Sequence, residues 1–246
     1  IYNITEGALV LEDGWAYKDT NGFYRAGGVT YGNASASTAA SGSILAVNGG
    51  AFTLNDGIIH GANGATAAVY ATGGAVTVNG GEFRNNTASG SGGALNAREG
   101  TVVTMTKGLF KNNKSSANQA GAAYLLRCQV NITGGIFEGN YGKKDAGSLY
   151  LHTSTGSVSG VEFKNNKSDA SGSGFGISGA ADVDISNVTV SGSQGGNGAV
   201  IVQGSAKVKL SDSSITDNSV SRGGGVYLVG TADLTLNNVQ ITGNTA

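Results

Sequence analysis

From Phe83 onward, apolar and polar positions recur in one phrase: an apolar residue followed three places later by a small polar one, usually asparagine. It reads Phe83-Arg84-Asn85-Asn86, Phe110-Lys111-Asn112-Asn113, Phe137-Glu138-Gly139-Asn140 and Phe163-Lys164-Asn165-Asn166. It continues as Val190-Ser191-Gly192-Ser193, Ile215-Thr216-Asp217-Asn218 and Ile241-Thr242-Gly243-Asn244. The apolar positions are 27, 27, 26, 27, 25 and 26 residues apart. A period of this size marks a solenoid, in which each repeat is one supersecondary unit stacked on the next.

Each repeat holds three β-prone runs between Gly, Ser and Asn clusters. In the last copy these are Gly225-Val226-Tyr227-Leu228, Asp233-Leu234-Thr235-Leu236 and Val239-Gln240-Ile241. The middle run alternates: Val208 and Leu210 point one way, Lys207 and Lys209 the other. The runs recur in the same order and direction, so hairpins are disfavoured. Coiling stacks each run on its counterpart, which predicts an all-β, right-handed, single-stranded parallel β-helix with three parallel sheets. Ser43 to Val47, Ala67 to Ala71 and Gly93 to Leu95 open the first three coils. That gives about eight coils of ~26 residues, a rod of roughly 38 Å at ~4.8 Å per coil.

Stacking predicts columns. Val78, Met105, Ile132, Val158, Ile185, Leu210 and Leu236 form one inward line, and Phe83 through Ile241 a second. Asn86, Asn113, Asn140, Asn166, Asn218 and Asn244 form a corner ladder, in which asparagine tolerates left-handed turns and bonds backbone or the next amide. Ser193 interrupts it and is its weakest rung. The first 42 residues differ: Trp15, Tyr17, Phe23, Tyr24 and Tyr31 cluster around Asp19-Thr20-Asn21-Gly22, a hairpin turn signal. Residues 1–42 therefore read as an aromatic hairpin, cap and loop, and 43–246 as the β-helix.

Composition narrows the classes. Glycine is 43 of 246 residues and proline is absent, which excludes collagen. Apolar residues reach 39 %, enough for a long thin core, while charge is only 13 % with a net of −1. That balance gives no reason to expect nucleic acid. No apolar run approaches the ~18 residues of a membrane span. The single cysteine, Cys128, cannot form an internal disulfide and reads as a core thiol. The start at Ile1 reads as that of an excised fragment, and the end just past a complete coil suggests a continuing chain or rods meeting end to end.

A second motif precedes the Phe-x-x-Asn series: Gly92-Gly93-Ala94-Leu95, Gly121-Ala122-Ala123-Tyr124, Gly147-Ser148-Leu149 and Gly224-Gly225-Val226. The pair resembles the repeats of chlamydial polymorphic outer-membrane proteins and of microbial surface proteins with a pectin-lyase-like β-helix. The likeness covers roughly residues 83 to 246. It implies an autotransporter passenger or adhesin, secreted to the outer surface of a microbe, although no C-terminal membrane barrel accompanies it.

Candidate chemistry is sparse. Lys207 aligns with Asp182 and Asp233, and Lys209 with Asp184 and Thr235, an exposed charge ladder. Acids on adjacent coils suit a cation or uronate, but two ammonium groups between them repel a divalent ion, which favours plain cross-strand pairing. Lys111, Glu138 and Lys164 read the same way. His60 and His152 lie in different coils without a third ligand, so no metal and no cofactor is expected. Trp15, Tyr17 and Tyr24 suit capping of the solenoid end better than stacking on sugars. Thr53, Thr77 and Thr104 align outward, but Asn131, Ser157, Asp184 and Lys209 break any uniform hydroxyl array. Of seven Asn-x-Ser/Thr sequons, those at Asn113 and Asn166 fall in the ladder, where a glycan would disrupt stacking.

These features point to a non-catalytic extracellular module, a rigid stalk and interaction surface in adhesion or cell-envelope structure. Expected partners are a protein or glycan of a host or neighbouring cell surface, with end-to-end self-association. The alternative is a carbohydrate-active β-helix enzyme or glycan-binding module centred on Asp182, Asp184 and Asp233.

Overall fold

The computed structural model describes residues 43–246 and, by backbone alone, the strands Tyr2–Ile4, Ala8–Leu11, Tyr17–Asp19, Gly22–Tyr24 and Thr30–Tyr31. Trp15, the side chains of Tyr17 and Tyr24, and the loop expected over 33–42 lie outside the described residues. Among the described residues every element is a strand. The strands stack into a right-handed parallel solenoid of about eight coils.

Each coil turns four corners rather than three. In the fourth coil the chain passes along face A (Ala123–Leu126), face B (Gln129–Ile132), face C (Gly135–Glu138) and face D (Tyr141–Gly142). Faces A, B and C are the three runs legible in the sequence. Face D holds only two residues in most coils, too few to show an alternation. The four faces still make three parallel sheets. Face A has nine strands and face D seven. Faces B and C share one sheet because Lys207–Thr216 and Asp233–Thr242 run unbroken from B to C.

Parallel pairing also reaches ahead of residue 43. Tyr2–Ile4 pairs with face A of the first coil, Ala8–Leu11 with face B and Thr30–Tyr31 with face C. Between the last two, Tyr17–Asp19 and Gly22–Tyr24 form an antiparallel pair. The first 31 residues thus carry strands in register with the solenoid, and the hairpin interrupts them.

The columns hold in register. Val78, Met105, Ile132, Val158, Ile185, Leu210 and Leu236 are successive partners, buried down to Leu210. Leu236 and Ile241, which no described coil covers, are 46 % and 40 % exposed. The aromatic column is a stack: Phe83, Phe110 and Phe137 lie 4.6 and 4.7 Å apart with nearly parallel rings, and Phe163 follows at 5.3 Å. Phe175 then enters from face A and tilts over Phe163 at 4.7 Å, while the smaller Val190 takes the next column position.

At the C–D corner the asparagines form a buried ladder. Asn140 Nδ2 donates to the Phe110 carbonyl (2.9 Å) and to Asn166 Oδ1 (3.0 Å), and its backbone N–H donates to that same oxygen (2.9 Å). Its own Oδ1 accepts from the backbone N–H (2.9 Å) and side-chain amide (3.1 Å) of Asn113. Asn86, Asn113 and Asn218 repeat this pattern. The left-handed turn expected of the ladder residue belongs to its predecessor. Asn85, Asn112, Asn165 and Asp217 have φ of 53 to 56°, and Gly139 takes the same place where a Cβ would meet Asn112 Oδ1 at 2.5 Å. One asparagine makes the turn; the next satisfies the backbone that the turn exposes.

Candidate functional site

The charge ladder forms in register on face B: Asp182, Lys207 and Asp233 are successive partners, as are Asp184, Lys209 and Thr235. Of these neighbours only Lys209 and Asp184 close to an ion pair, at 3.6 Å, with side chains 77 % and 69 % exposed. On face C, Lys111 pairs with Glu138 at 3.1 Å, whereas Lys164 turns to Glu162 of its own strand. Exposed pairs of this kind contribute little. Among the described residues no three His, Cys, Asp or Glu side chains converge as metal ligands would.

The histidines sit on different faces, His60 at the end of a face C strand and His152 at the end of a face A strand. Burial, assisted by Arg84 and Arg127 respectively, lowers both below the ordinary imidazole value. Burial pushes the Cys128 thiol up to about 12, so at neutral pH it stays protonated and packs in the core.

The densest polar constellation lies where sequence reasoning did not look, on the outer side of face A. There Tyr70, Asn96, Tyr124 and Tyr150 stack in register. The chain entering face A folds back over them, so that Ala120 and Ala146 bury Tyr124 and Tyr150 in a second apolar cluster outside the main core. Both alanines adopt φ near +60°, a left-handed conformation that costs roughly 1–2 kcal/mol each. The Arg98 guanidinium lies 6.0 Å from the Tyr70 ring and 5.4 Å from that of Tyr124, and donates from Nε to Asn96 Oδ1 (2.8 Å).

Two further links tie distant segments together. The Tyr124 hydroxyl shares a 3.2 Å hydrogen bond with His152 Nδ1. Gln203 Nε2 donates to the Tyr150 hydroxyl (2.6 Å) and, more weakly, to Asp145 Oδ2 (3.5 Å). Burial raises Tyr150 to about 12 and raises Asp145 as well. Tyr124 and Tyr150 are only 6 % and 2 % exposed, so the network's hydroxyls are spent on internal partners. Its chemical competence is to fasten the turns of coils three to five onto the rod. The signal that could have found it is Tyr124 and Tyr150, 26 residues apart, each followed two places on by an outward residue, Leu126 and His152.

The fold and these contacts define a parallel β-solenoid with a laddered corner and a fastened outer face. Comparison of the chain with protein-family models, curated proteins and solved structures gave no match.

Proposed function

We propose that this solenoid is a non-catalytic extracellular surface module: a rigid stalk and lateral interaction surface in adhesion or in the cell envelope of a microbe. The observation that carries this reading is the internal stack, in which phenylalanine rings on face C and asparagine amides at the C–D corner repeat through successive coils. Such a stack resists bending between coils, because displacing one coil breaks buried hydrogen bonds and ring contacts on both sides. The resemblance of the Gly-Gly-Ala and Phe-x-x-Asn repeats to those of chlamydial surface proteins supports an outer-surface location and a protein or glycan partner.

The experiment that tests it sets a structural role against turnover. The protein is incubated with a panel of neutral and acidic polysaccharides, and new reducing or unsaturated chain ends are measured. The expected result is no product above background. Turnover that Asp184→Ala abolishes would overturn the proposal in favour of a β-helix enzyme working on face B.

A further inference from the structure

The ridge leading from face C into face D carries a local charge excess that the net charge of −1 conceals. On face D, Lys114, Tyr141 and Lys167 occupy one register column in three successive coils. Lys114 and Lys167 are exposed and Tyr141 is half-buried. Lys143 and Lys144, also exposed, follow Tyr141 in the adjoining turn. Two acids lie here among the described residues: Asp169 accepts from Lys143 Nζ at 2.7 Å and from the Tyr141 hydroxyl at 2.8 Å, and half-buried Asp145 follows Lys144 and faces Gln203. Four lysines against two aspartates leave a charge of +2. Adjoining face C cancels itself, since Arg84, Lys111 and Lys164 pair with Glu82, Glu138 and Glu162.

The free cations are arranged, not scattered. Lys114 Nζ stands 5.4 Å over the Tyr141 ring, which holds it beside the column. Lys144 donates to the neutral Asn118 Oδ1 at 3.1 Å, with the half-buried Asp145 carboxyl next to it in the chain. Lys114 and Lys167 are two coils apart, ~9.6 Å along the rod at ~4.8 Å per coil. The column is one residue wide, on strands of two residues in coils three and four and of five in coil five, so the positive strip is narrow across the rod and long along it. A small anion would meet one lysine, and a flat anionic surface would touch only the crest. A linear polymer lying along the axis meets all of them.

We propose that this ridge binds a linear acidic polysaccharide, its carboxylate or sulfate groups set against Lys114, Lys144 and Lys167 with Tyr141 between them. The proposal deepens the reading of the solenoid as an interaction surface and rests on it. The binding is electrostatic, so its affinity falls as salt rises.

Titration calorimetry at low salt compares a sulfated chain, a carboxylated chain and a neutral chain of matched length against the wild type. Binding of either charged chain but not the neutral one is the expected result, and the preferred chain identifies the anionic group. Replacing Lys114, Lys144 and Lys167 by Gln weakens that binding at least tenfold. The charge-matched Lys107→Gln, Lys207→Gln, Lys209→Gln triple leaves it within twofold, and both triples melt as the wild type does. No saturable binding of either charged chain overturns the ridge, as does equal loss in both triples or tighter binding of a single-stranded nucleic acid. Product formation from the bound chain instead overturns the non-catalytic reading and leaves the ridge standing, so the two failures are distinguishable.

Discussion

Asn140→Ala tests the ladder on which the rod depends. Asn140 is wholly buried at the centre of the ladder. Truncation removes the donor to the Phe110 carbonyl and the acceptor for the Asn113 backbone N–H, and halves the partners of the Asn113 side-chain amide. Each buried group left without a partner costs about 1–3 kcal/mol, so the two backbone groups together cost about 2–6 kcal/mol before any cavity term. Asn131→Ala is the internal control, because Asn131 faces outward from face B, exposed to water; its expected effect is within about 0.5 kcal/mol. The assay is urea unfolding followed by far-ultraviolet circular dichroism, with slope and midpoint fitted for both variants and the wild type. If Asn140→Ala costs less than about 1 kcal/mol, or no more than Asn131→Ala, the amide ladder is not what holds the coils together.

Further outcomes follow from the same geometry. Ser193→Asn supplies the missing rung to the Asn166 side and replaces a buried hydroxyl that has no partner, so the unfolding midpoint rises by an amount equivalent to about 1 kcal/mol; a fall would mean that coil six has no room for the amide. Gly176→Ala places a Cβ 2.8 Å from the Tyr150 ring and 2.9 Å from Ile201 Cγ2, and about 1–3 kcal/mol of destabilisation is expected in urea melts. His152 is lowered from 6.5, so its contribution is present above that value and fades as pH falls below it; thermal melts between pH 7 and 5 lose less stability in His152→Gln than in the wild type. Asp145 has the opposite sign: raised by burial, it favours the fold at acid pH and loses that contribution as pH rises past its folded value, so Asp145→Asn flattens the melting profile above pH 4.

The solenoid is legible in the chain because its core is written at one period. A residue such as Phe110 has its partners one coil away on either side, so spacing alone predicts the contact. Side chains that point outward have no such rule. Asp145, Tyr150 and Gln203 meet because the turn entering face A folds back over two coils, and the Gln203 links span 58 and 53 residues. Face D escaped for a different reason: a two-residue strand has one inward side chain, such as Ala88 or Ser115, too few for a pattern. The expected charge ladder was correct in register yet closed only one ion pair, since register fixes Cα neighbours and leaves long exposed side chains to water.

The junction between coils five and six shows how a repeat survives a lapse in its own pattern. Three signatures of the stack lapse there together. Val190 stands in the aromatic column, Ser193 in the amide ladder, and the face D register slips between Ser168 and Ser171. Phe175 offsets part of the loss by covering Phe163 from face A, in a column position where neighbouring coils have Leu149 and Val200. Nothing replaces the amide, since the Ser193 hydroxyl reaches no partner, although its backbone N–H still donates to Asn218 Oδ1 at 2.9 Å. Shape has been compensated at this junction and hydrogen bonding has not. Most contacts join adjacent coils, so that deficit stays local, and Gln203 of coil seven reaches back past coil six to Tyr150 and Asp145 of coil five, strapping the junction from outside.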